Sequence, residues 1–414
     1  LTGESEKLMK VERCKGMRDL FPADMEKFRF LNEIFRDSCR KWGYEEIKTP
    51  TLEYLHLFTS AGTLTPGMLG KVYSFLDWDG WSGERVVLRP DATIPVARLY
   101  IESLSEKELA KLFYIVNTFI FEESGKKDRE KWQCGAELIG IGSPLADVEL
   151  IALALEVLKK LGLEEVELRL SHAGLIRGIL QKLGLDSDEQ NKAFDRILDG
   201  DASVISQIKT EKPGLVPLLE LQGKSSGFIK NLASSFSLDL PELKPQIDDF
   251  IYIADTLRSL GYDYQIDIAS VRGFEYYTGM IFQLFINNEK VGGGGRYDAL
   301  IPAMGGKNTP ASGFALYLDL LMGLIEPERI SPGPVPKILV KMETGASASA
   351  FNVAGSLRKA GYTVKLHLGG KGPSDVTWRL DVRNQEPRLI LTNLPKRREL
   401  KLQTVDEVLE ILKH

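Results

Sequence analysis

Cysteine and histidine are scarce in this chain. Three cysteines, Cys14, Cys39 and Cys134, and four histidines, His56, His172, His367 and His414, are scattered over 414 residues. The cysteines are odd in number and stand at no metal-ligand spacing, which fits reduced thiols in a reducing compartment. No two histidines are near in sequence, so neither a Cys/His metal site nor a Cys/His nucleophile pair is expected. Long apolar runs are also missing. None approaches the roughly 18 residues of a membrane-spanning helix, and the first residues, LTGESEKLMKVERC, lack the apolar segment of a secretory signal. A cytoplasmic protein without membrane contact is expected. Internal repeats and low-complexity tracts are absent, and 43% hydrophobic with 27% charged residues excludes disordered and collagen-like classes.

What is present is enough chain for more than one core, since single cores stop growing at roughly 250 to 300 residues. The net charge of -5 gives no general nucleic-acid binder, but it is unevenly spread. Residues 331–414 hold 14 Lys/Arg against 8 Asp/Glu, so this end is basic and the remainder strongly acidic. Such an end suits RNA or an acidic partner, or is simply a solvated surface.

Helical and strand patterns alternate over residues 16–160. Phe28, Leu31, Ile34 and Phe35 mark one face of a helix that Gly43 ends. YEEIKTPTLEY, RVVLRP and FYIVNTFIF read as extended, ATIPVARLYIESL as helical after its proline, and ADVELIALALEVLKKLG as a strongly amphipathic helix before the strand EEVELRLS. NTFIFEESGKKDREKWQCGAELIG, residues 117–140, reads as a hairpin with Ser124 to Asp128 at its tip. Helical patterns then dominate, one opening at a capping box from Ser187 to Gln190. Strand patterns return in YQIDIA, MIFQLFI and SGFALYLDLLMGLI. After the proline-rich ISPGPVPK, the order KILVKM, helix, TVKLHL, helix near VTWRL, RLILTN predicts a small parallel α/β domain. The expected organisation is a core in two parts, 1–173 and 261–329, interrupted by a helical insertion, 174–260, and followed by a linker, 330–337, and a domain at 338–414.

Four stretches carry possible chemistry. VGGGGRYDAL, residues 291–300, matches neither a phosphate loop nor a dinucleotide fingerprint. Its glycines admit either a close backbone approach to a ligand or a tight hairpin turn. SVRGFEYYTGMIF supplies Arg272, Tyr276 and Tyr277, a cation and hydroxyls within a few residues, which suit a small polar ligand with a carboxylate or suit core packing. LRPDATIPVARL offers Asp91 and Thr93, fit to hold an ammonium group or to cap the following helix. Gln133 and Glu137, four apart on an extended run, face the same side.

Taken together and in order, these segments resemble the histidyl-tRNA synthetase family of class II synthetases over almost the whole chain. GMRDLFP resembles the family's opening segment, and WGYEEIKTPTLE its first class II motif, placed at a dimer interface. RGFEYYTG and GGGRYDAL are similar to its two histidine signatures, and AMGGKNTPASGFALYLDLL resembles the approach to its third motif. The resemblance implies an α+β fold, an antiparallel sheet flanked by helices, with a helical insertion and a small C-terminal α/β domain like the family's anticodon-binding domain. It further implies histidine binding by Asp91, Thr93, Gln133, Glu137, Arg272, Tyr276, Tyr277 and Tyr297. An aspartate stands at 91 where synthetases carry glutamate.

Departures from the family pattern concern ATP. Ile120 stands where the second motif has an arginine, Glu123 where a second arginine is usual, and Leu320 where the third motif has one. Losing one transition-state cation costs around 3 to 4 kcal/mol, so no catalytic residues are expected, although Lys126, Lys127 and Arg129 lie near the hairpin tip. A chain that keeps the histidine pocket and lacks these cations resembles the regulatory-subunit paralogues of ATP phosphoribosyltransferase. That resemblance implies a non-catalytic homodimer in histidine biosynthesis, partnered by L-histidine and the short-form catalytic subunit, with no cofactor required. The competing expectations are a divergent histidine-tRNA ligase needing ATP and Mg with tRNA as partner, and a synthetase-like module binding RNA or another partner.

Overall fold

The computed structural model describes residues 11–60, 70–78, 83–121, 128–182, 189, 193, 222–227, 229–230, 241–268, 276–330, 336–370, 373 and 375–413. Two compact units divide the chain, Leu1–Glu326 and Pro327–His414. Arg272, Glu123, Lys126, Lys127, most of the expected insertion and its capping box lie outside the described residues.

The first unit begins with α1 (Pro22–Lys41), β1 (Glu45–Glu46), β2 (Leu52–Tyr54), β3 (Ser74–Trp78), β4 (Gly83–Leu88) and α2 (Thr93–Leu99). It continues through β5 (Ala110–Phe119), β6 (Glu130–Ile139), α3 (Pro144–Lys160), β7 (Glu167–His172), α4 (Ala173–Lys182), β8 (Gln222–Gly223), α5 (Lys244–Ser259), β9 (Gln265–Asp267), β10 (Met280–Ile286), β11 (Glu289–Arg296), β12 (Ala311–Tyr317) and α6 (Leu318–Leu324). Gly43, at φ +81, closes α1 as its position predicts, its N–H returning 3.0 Å to the Arg40 carbonyl.

Nine strands form one sheet in the order β1-β5-β6-β12-β11-β10-β7-β9-β8. The sheet is mixed rather than wholly antiparallel, because β1–β5 and β7–β9 pair in parallel. Both exceptions join strands separated by long connections, the first carrying β2, β3, β4 and α2 and the second α4, β8 and α5, as parallel neighbours require. β2, β4 and β3 make a separate small sheet.

Two sequence readings change. The glycine run is neither a turn nor a loop: Gly292–Gly295 lie inside β11, paired on both sides. The turn falls at Asn287 and Asn288, both with positive φ, the conformation that two-residue hairpins favour. Helix α3 is not one-sided. Val148, Leu150, Ile151, Leu153, Ala154, Val157 and Leu158 are all buried, since it packs against α1, α5 and β12 together. Ser143 caps its start, accepting from the Leu145 N–H at 3.3 Å, and Pro144 occupies the first turn, where its missing N–H costs nothing.

The second unit contains β13 (Lys337–Met342), α7 (Ser347–Lys359), β14 (Thr363–Leu366), β15 (Trp378–Val382), β16 (Leu389–Asn393), β17 (Arg398–Leu402) and α8 (Val405–Leu412). Its sheet runs β14-β13-β15-β16-β17, parallel for the first three strands and antiparallel for the rest. The expected helix near VTWRL is the strand β15. Leu380 and Val382, two apart, both reach the core under α7 and α8, the period of a strand.

Candidate functional site

The face of the large sheet explains why one acidic side chain can be buried in its middle. Register sets Glu137 on β6 opposite Gly313 on β12, and Gly135 opposite Tyr114 on β5. The Glu137 carboxylate lies flat across Gly313, where a Cβ would fall 1.6 Å from Oε2. Tyr114 lies across Gly135 in the same way, with a Cβ there 2.4 Å from its hydroxyl. Glycine at both positions is therefore the space into which polar side chains fold down.

Glu137 is 1% exposed and receives three hydroxyls. Thr93 Oγ1 donates to Oε1 at 3.0 Å, Tyr114 donates to Oε1 at 3.1 Å, and the Tyr297 hydroxyl donates to Oε2. Burial raises the Glu137 pKa to about 8, against the lowering effect of those hydroxyls and with further raising by the Asp91 charge. Asp91 is buried beside it and is raised to about 6, again by loss of water, while backbone N–H groups of Ile94, Thr93 and Ala92 oppose the shift. Its Oδ1 accepts from the Ile94 N–H at 2.9 Å, so Asp91 also caps α2. Capping and site membership, alternatives on the sequence, coexist because a carboxylate has two oxygens.

A pocket opens on this face, lined by Asp91, Thr93, Gln133, Tyr276, Tyr277 and Tyr297. The tyrosines form one aromatic wall, with ring centroids 5.2 Å apart for Tyr276–Tyr277 and 5.5 Å for Tyr276–Tyr297. Segments from residue 91 to residue 297 thus converge on one place. The sequence reading missed Tyr114, Tyr317, Gln283 and Lys290; the last three also line the pocket. For Tyr114 a signal existed, a large residue paired with a glycine, but it becomes visible only once the strand register is known.

Asp91 lines the pocket directly, whereas Glu137, ringed by hydroxyls, lies buried across Gly313, itself a lining residue. Both carboxyls are cut off from water, the condition in which a positive group beside them favours their charged forms.

The other half of the hairpin differs. Ile120 sits where the strands part, its N–H donating to the Arg129 carbonyl at 2.9 Å. The Arg129 guanidinium lies over the Phe121 ring, 4.2 Å from its centroid. Leu320 lies on α6 next to Asp319, which is paired with Arg18 and accepts the Trp132 N–H at 2.6 Å. Neither described position, 120 or 320, supplies a cation. No cluster of three metal-ligating side chains occurs among the described residues, and no helix among them is long and apolar enough to cross a membrane.

A nine-stranded mixed sheet flanked by helices, with a further α/β unit, is a class II synthetase-like α+β fold. A crystal structure from Bacillus halodurans, described as an ATP phosphoribosyltransferase regulatory subunit/histidyl-tRNA synthetase, is similar with a TM-score of 0.76 and 26% identity, over 89% of this chain and 96% of that one. The histidyl-tRNA synthetase family model matches residues 16–321, and the chain belongs to that family. An ATP phosphoribosyltransferase regulatory subunit of Dehalococcoides mccartyi is 52% identical over 97% of this chain and 98% of its own. A histidine–tRNA ligase of Archaeoglobus fulgidus is 33% identical, over 88% of this chain and 87% of its own.

Proposed function

We propose that the chain is a non-catalytic regulatory subunit of ATP phosphoribosyltransferase that binds histidine in the Glu137 pocket and acts in histidine biosynthesis. The observation that carries this reading is the contrast within one hairpin. β6 keeps Gln133 and a hydroxyl-ringed Glu137, whereas the chain just beyond β5 puts Ile120 where adenylate chemistry needs a cation, and α6 puts Leu320 at the second such position. The name borne by the 52% identical relatives supports the same assignment. Asp91 and Glu137 would take the ligand's positive groups, the tyrosines its ring, and Arg272 its carboxylate.

The partners under this reading are L-histidine, a short-form catalytic subunit and a second copy of the chain. For the homodimer, the small sheet of the first motif offers Tyr54 and Phe75 in one cross-strand row through Val86, both exposed and apolar beside Leu52. No cofactor is needed. The deciding experiment is histidine-dependent exchange of pyrophosphate into ATP by the purified chain, run beside histidine titration calorimetry and co-purification with a short-form transferase. Binding of histidine and transferase without exchange is the expected result. Exchange above background would overturn the reading in favour of a histidine-tRNA ligase.

A further inference from the structure

The second unit contains a cavity of its own, and the strand register explains it. Trp378 on β15 pairs with Asn393 on β16, and Asn393 with Arg398 on β17, so their three side chains form one cross-strand row. The neighbouring row on the same face is Leu380, Leu391 and Leu400, of which the first two are fully buried in the core. The Trp378 row therefore lies at the rim, where the apolar layer gives way to polar side chains. Glu410, Ile411 and Lys413 close it from the end of α8, and Lys396 from the β16–β17 turn. The cavity measures about 740 Å³, within the roughly 300 to 1,000 Å³ of small-molecule sites.

Its three cations form no ion pair among the described residues. Three other cations of this unit are paired, Lys337 and Lys365 with Asp375 and Arg379 with Asp381. Lys396, Arg398 and Lys413 have no carboxylate within ion-pairing distance among the described residues. Asn393, which lines the cavity, holds the turn by accepting the Lys396 N–H on Oδ1 at 3.0 Å, so its amide N–H₂ remains as a donor. An indole, an amide, three cations and the single carboxylate of Glu410 are thus gathered at one cavity.

We propose that this cavity binds a free nucleoside monophosphate, with its base against the Trp378 indole and its phosphate on Lys396, Arg398 and Lys413. Arginine and lysine together give the phosphate charge-assisted hydrogen bonds, and the indole gives the base a stacking surface that tolerates any ring. A single nucleotide fits better than an RNA strand, because strand-binding grooves offer successive aromatic platforms, whereas among the described residues Trp378 is the one aromatic lining this cavity. The site stands on the second unit alone and is independent of the histidine reading.

The test is calorimetric titration of the full chain with AMP and UMP, with adenosine and ribose 5-phosphate as half-ligands, and with a single-stranded RNA oligonucleotide at low and physiological salt. Saturable binding of both mononucleotides is expected, with each half-ligand weaker by about tenfold or more, the loss of one charged or stacking contact. Arg398→Ser and Lys413→Ser change exposed side chains and should each weaken AMP about tenfold with unchanged melting. Trp378→Phe should bind nearly as the parent. Glu137→Gln should leave AMP binding unchanged, which separates this site from the sheet pocket. Absence of saturation, or parental AMP affinity in the Arg398→Ser, Lys413→Ser double variant, overturns the proposal. So does RNA binding that is tighter than AMP and falls steeply with salt, which would assign the groove to a strand.

Discussion

Glu137→Gln tests the electrostatics of the sheet pocket directly, because the amide keeps the shape of the acid and removes its titration. The Glu137 pKa rises from 4.5 to about 8 on folding. The native state therefore holds a proton that the unfolded chain releases across that interval. This stabilisation is complete below pH 4.5, declines as pH rises and is gone above about 8. Converted at about 1.4 kcal/mol per unit, the whole span is about 5 kcal/mol. Other buried groups titrate lower: Asp91 and Asp147 rise to about 6, and their contributions likewise fade as pH rises to that value. His172, depressed to about 3 by burial and the Arg296 charge, has the opposite sign and loses its contribution as pH falls below 6.5. Between pH 6.5 and 8 the Glu137 term is thus nearly alone, and the parent should lose about 2 kcal/mol relative to Glu137→Gln. Urea unfolding of both proteins at several pH values in that window measures the difference. A gap between parent and variant that stays constant with pH would refute the buried, hydroxyl-ringed carboxylic acid.

Further outcomes follow from the same geometry. Binding of histidine should release a proton near pH 7, since a positive group beside Glu137 returns it to its charged form; calorimetry in buffers of different ionisation heat reads this as a buffer-dependent enthalpy. Gly313→Ala places a methyl 1.6 Å from Glu137 Oε2, so it should abolish histidine binding and lower the melting temperature, read by differential scanning fluorimetry with and without ligand. Asp147 and Arg296 form a buried pair at 2.8 Å; Asp147→Ala or Arg296→Met alone should cost about 3 to 5 kcal/mol in denaturant unfolding, and the double variant less than the sum.

How far the sequence reached can be judged residue by residue. Gly43 as a helix end and the hairpin around residues 117–140 were readable, since each depends on conformational preferences of a few neighbours. The match of short signatures to a known family brought Asp91, Thr93, Gln133, Glu137, Tyr276, Tyr277 and Tyr297 onto one expectation, and the fold places all seven around one sheet face. Three readings failed for one reason. The glycine run as a tight turn, the one-sided burial of α3 and the helix at VTWRL each depended on what packs alongside, which local pattern does not contain.

The sequence by itself determined which side chains were available: carboxylates, hydroxyls and tyrosines in the pocket segments, and no arginine at 120 or 320. Folding rearranges side chains but cannot supply a cation at a position that encodes isoleucine or leucine, so those two absences belong to the chain itself. Only the tertiary structure decided that Gly313 lies under Glu137 and Gly135 under Tyr114, because register pairs residues far apart in the chain or across a hairpin. It also decided protonation. The Glu137 pKa rises to about 8 because the sheet removes water from it, and desolvation is a property of surroundings that no residue carries alone.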